Sequence, residues 1–64
     1  MTAEDARRKS IDGAINSIET IINHAVEKGL TEAHIPETLN FGEEVQNAIK
    51  KNGFKILPDN TVGW

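Results

Sequence analysis

Cysteine is absent from this 64-residue chain, which excludes a disulfide framework and any thiolate metal site. Two histidines, His24 and His34, are too few for a structural zinc site with its four ligands at defined spacing, so no metal is expected. No apolar run approaches the length of a membrane span or a signal-peptide core, and the chain opens on the polar Met1-Thr2-Ala3-Glu4-Asp5. A soluble, cytoplasmic protein without membrane contact is the expectation. Positive charge is scarce too: seven Lys and Arg against ten Asp and Glu leave a formal charge of −3. That balance argues against nucleic-acid binding, whose affinity comes mainly from basic groups on phosphates. Ser10 and Ser17 have no base at a fixed spacing, and neither a phosphate loop nor a dinucleotide fingerprint is present. The chain is expected to be a non-enzyme with no cofactor.

What is present is a long amphipathic helix. Thr2 and Asp5 have capping-box spacing, in which the hydroxyl accepts an amide proton and the carboxylate favours the positive end of the helix dipole. From Ile11 the apolar residues fall at Ile11, Ile15, Ile18, Ile22 and Ala25, a 4-3-4-3 spacing widened by Ala14, Ile21 and Val26. The helix is predicted from about Thr2 to Lys28, stopped by Gly29 with Leu30 folding back on Ala25. Asp12-Gly13 favours a turn, but the isoleucine phase runs through it without slipping, so both a continuous helix and a break near residues 10 to 13 stay open.

Further along, Ala33-His34-Ile35-Pro36 reads as a short strand, ended by a proline that has no amide for a ladder. Asn40 and Glu43 repeat the capping spacing ahead of a second helix from about Phe41 to Lys51, which Asn52-Gly53 should end. Residues 54–57 and 61–64 flank Pro58-Asp59-Asn60 as a hairpin. Pairing Leu57 with Thr61 sets Ile56 against Val62 and Phe54 against Trp64 on one face. The predicted fold is α+β, in the order α-β-α-β-β: a long N-terminal helix, a short strand, a second helix and a C-terminal β-hairpin, with both helices on one face of a small antiparallel sheet.

Residues 1–64 are expected to form one domain, a core of residues 11–64 carrying a polar, basic helical arm of residues 1–10. Residues 1–9 hold three positive and two negative charges, and the remainder holds four and eight. A chain this short buries only about 60% of the surface that its unfolded form exposes, so self-association is the staple left to it. Ile11, Ile15, Ile18 and Ile22 are the candidate oligomer interface. Arg7, Arg8 and Lys9 are candidates for contact with an anion, because guanidinium forks pair with phosphate or carboxylate, although adjacent residues point different ways around a helix. Phe54 and Trp64 are candidates for stacking on a base-like ligand, with core packing or a subunit seal as alternatives for Trp64.

An Arg-containing polar arm, an isoleucine helix ending in Lys-Gly, then IPETL, then EEVQNAIKKNGFKI and a hairpin ending in Trp together resemble small accessory proteins of tailed bacteriophages. That group includes host-takeover factors, virion components and counter-defence proteins, among them compact homo-oligomers that sequester cyclic-nucleotide immune signals without cleaving them. The resemblance implies a homo-oligomer in the host-cell cytoplasm that binds an anionic nucleotide between subunits, with Arg7, Arg8 or Lys9 on phosphate and Trp64 or Phe54 on a base. A protein-interaction module inhibiting a host enzyme and a structural virion component are the alternatives it leaves.

Overall fold

A computed structural model describes residues Met1 to Trp64, in the order α1 (Ala3–Glu27), β1 (Glu32–His34), α2 (Glu43–Lys51), β2 (Lys55–Leu57) and β3 (Thr61–Gly63). The α+β order is the expected one. α1 is unbroken through Asp12-Gly13. Its start is the reciprocal capping box, with the Thr2 hydroxyl accepting from the Asp5 amide at 3.1 Å and the Asp5 carboxylate accepting from the Thr2 amide at 3.2 Å. Its end is a Schellman turn: Gly29, at φ +78°, donates to the Val26 carbonyl, and Leu30 donates to the Ala25 carbonyl at 2.9 Å. The Leu30 backbone therefore folds back as expected, while its side chain stays 52% exposed.

Other boundaries differ from the expectation, for local reasons. β1 lies slightly earlier than residues 33–36, ending at His34, although the Ile35 amide still donates to the Asn60 carbonyl at 2.7 Å. α2 begins at Glu43, two residues later than predicted, because Asn40 does not cap it. The Asn40 side chain instead accepts from the Gly42 amide at 3.1 Å in a tight turn, and Gly42 takes the capping position with no side-chain bond to the helix. Gln46 reaches back to donate to the Phe41 carbonyl at 2.9 Å. Gly53 then ends α2 in a left-handed turn, its amide donating to Lys50.

The sheet order is β1-β3-β2, antiparallel throughout, so the last strand of the chain is the central one. The hairpin register is the predicted one, Leu57 with Thr61 and Ile56 with Val62. Asp59 and Asn60 both carry positive φ, the twist that suits a tight hairpin turn. Ala33, Val62 and Ile56 stand abreast on the face toward the helices, while Glu32, His34 and Lys55 are exposed on the other. On that outer face Leu57 lies over Gly63, where a Cβ would meet its Cδ1 at 3.0 Å.

One core joins both layers. Ala14, Ile18 and Ile22 of α1 pack with Val45 and Ile49 of α2, with Ile35 just beyond β1, and with Val62 of β3, while Ile11, Ile15, Ile21, Leu39, Phe41, Phe54 and Ile56 close the margins. No polar side-chain atom is buried without a partner. Val26, predicted to widen the buried stripe, is instead 52% exposed at the margin of the helix face.

Ile18 is fully buried at the centre. Ile18→Ala should lose about 2–5 kcal/mol, comparable with the roughly 3–5 kcal/mol that a single core of this size supplies. Urea titration followed by circular dichroism should therefore find this variant largely unfolded without denaturant. Gly13 provides the opposite test, because nothing lies within 4 Å of an added Cβ. Gly13→Ala should raise stability by about 0.5–1 kcal/mol, and the same change at Gly29 should lower it.

Candidate functional site

The arm is a regular helix that buries nothing. Residues 1–10 are all exposed, and the molecule measures 41 Å on its long axis against 21 and 19 Å on the others. Isolated helical turns are marginal in water because each early turn fixes many dihedrals for few hydrogen bonds. Here the arm is held only by its capping box, by continuity with α1, and by an exposed Arg8–Glu4 pair at 3.6 Å. Such a pair is worth little in solvent.

Within the basic triplet, helical geometry separates the three side chains. Arg7 and Ile11 line an open cleft of about 300 Å³ with Asn40, Gly42, Glu43, Glu44 and Val45 at the start of α2. A smaller one of about 190 Å³ lies between Glu4, Arg7, Arg8, Ile11 and Glu44. Lys9 lines neither. The unpaired amides at the start of α2 and the guanidinium of Arg7 favour an anion, and the carboxylates of Glu4, Glu43 and Glu44 oppose one. These carboxylates on α2 went unnoticed as neighbours of the arm in the sequence, since only tertiary packing brings residues 7 and 44 together.

Phe54 and Trp64 meet as predicted, edge to face with centroids 6.2 Å apart and planes at 87°. Trp64 is tied down by its amide, which donates to the Thr31 carbonyl at 2.9 Å, yet its side chain remains 37% exposed. That bond sets the aromatic pair near the carboxyl end of α1, whereas Arg7 is near the amino end. Helical rise between residues 7 and 25 alone is about 27 Å. One chain therefore does not bring the basic and aromatic candidates into one pocket.

The candidate interface also divides. Ile18 and Ile22 belong to the chain's own core, and Ile11 and Ile15 are half-buried at its edge. Only the latter two retain surface for a partner. His24 and His34 are both exposed, and no three metal-ligating side chains converge anywhere in the chain. No helix is long and apolar enough to cross a membrane.

If the aromatic contact orders the chain end, Phe54→Ala should shift Trp64 fluorescence to the red and increase its quenching by acrylamide. The stability loss should be about 0.5–1.5 kcal/mol beyond the lost burial; unchanged quenching would show that Phe54 does not shield the indole. The sequence matches no protein-family profile, no curated protein and no solved structure at a significant level.

Proposed function

We infer that the chain is a non-catalytic, homo-oligomeric binding protein of phage origin, acting in the host cytoplasm as a counter-defence sponge for a cyclic-nucleotide immune signal. The observation that supports a binding role is the arm: ten exposed residues, capped and charged, that bury nothing in their own fold. Helix without burial gains little from folding alone, which points to a use outside the domain.

The separation of Arg7 from Trp64 adds a condition. A ligand held by guanidinium on phosphate and indole on base has to draw these groups from different copies, as the small cleft beside Arg7 has no aromatic wall. Exposed Val26, Leu30 and Trp64 beside the carboxyl end of α1 favour a second reading, a module that docks on a host protein through that apolar group.

Calorimetry with a panel of cyclic di- and trinucleotides tests the sponge. The expected result is binding to at least one member without turnover, weakened roughly tenfold by Arg7→Ala through loss of a charge-assisted hydrogen bond and by a similar factor in Trp64→Ala. No heat with any member at about 1 mM ligand, a concentration that detects even weak complexes, would reject the nucleotide and leave the docking module.

A further inference from the structure

The flank of α1 beside its buried stripe carries a second pattern. With about 100° between successive residues and Ile18 at the centre of the buried face, Arg8, Ile15, Glu19 and Val26 fall about 60–100° to one side. Arg8, Glu19 and Val26 are exposed, and Ile15 is half-exposed. Of the four, only Ile15 touches the margin of the core.

We propose that this flank is the surface on which a second copy of the chain packs, antiparallel, with α1 against α1 and the two-fold axis passing between residues 13 and 14. The proposal rests on the homo-oligomer part of the function inferred above and specifies its geometry. Charge chooses the direction. A parallel pair would set Arg8 against Arg8 and Glu19 against Glu19, both repulsive. In the antiparallel pair Arg8 of each copy faces Glu19 of the other, and the exposed Met1 reaches the level of the other copy's exposed Val26. Glu4 comes level with Asn23, and Asp12 with Ile15, so no like charges stand directly opposite. The two Ile15 side chains meet near the axis.

The same register answers why the arm is helical. Residues 1–10 of one copy run along residues 17–26 of the other, so turns that cover nothing in their own fold gain a surface to cover. Arg7, on the side of α1 that faces the start of α2, is left clear of the contact. The area is modest: a strip about 37 Å long and 10 Å wide falls short of the roughly 800 Å² per partner of a standard stable interface. The dimer is accordingly a weak, exchanging one, populated at high micromolar concentration.

Sedimentation equilibrium up to about 1 mM on the wild type, Arg8→Glu, Glu19→Arg and the double reversal tests this, with circular dichroism verifying that each variant is helical. Each single change turns two attractive contacts per dimer into repulsive ones and should weaken association roughly tenfold. The double reversal should restore it to near the wild-type value. Self-association that ignores the single changes, or that the double reversal does not rescue, would overturn the antiparallel register and leave homo-oligomerisation standing. A wild type that stays monomeric throughout would overturn both.

Discussion

The fold depends on one constraint: a single aliphatic seam has to serve two layers at once. Ile18 and Ile22 on one side meet Ile35, Val45, Ile49 and Val62 on the other, and no second cluster exists to hold either layer if the first loosens. With no cysteine to form a disulfide, the hydrophobic term must carry most of the offset to the ordering of the chain. That explains why the remaining devices are local and numerous. The capping box, two glycine-ended helices and the left-handed Asp59-Asn60 turn each fix a boundary without adding core volume.

The seam also explains the molecule's shape. It engages α1 only from Ile11 onward, so the helix outruns the layer beneath it by more than two turns. Its polar extension carries the densest positive charge in an otherwise acidic chain. The carboxyl end of the same helix gathers exposed Val26 and Leu30 with the partly exposed Trp64. The molecule is thus polarised along its long axis, with charge at one end and apolar and aromatic surface at the other. Within one chain the basic and the aromatic candidates therefore lie at opposite ends.

Periodicity and turn chemistry made most of the architecture legible in the sequence. The isoleucine phase carried α1 through Gly13 because its cost, about 1 kcal/mol against alanine, is small beside the burial on either side. The hairpin register followed from matching four large side chains to one face, and the Phe54–Trp64 contact came with it. Asn40 misled because its side chain had two local uses, capping a helix or closing a turn on Gly42, and sequence spacing does not rank them. What could not be read was long-range: that β3 lies between β1 and β2, that Ile18 and Ile22 face inward and leave Ile11 and Ile15 at the margin, and that Arg7 sits beside Glu44.

The central position of β3 leaves two short outer strands, and each runs into a proline within two residues: Pro36 after His34-Ile35, and Pro58 directly after Leu57. Proline has no amide to offer a further strand, and three-residue edges bearing Glu32, His34 and Lys55 are a poor template for one. The sheet is open at both edges, yet each edge discourages growth. A chain that exposes Val26, Leu30 and Trp64 gains from edges that resist β-polymerisation, and here that resistance comes from two imino acids.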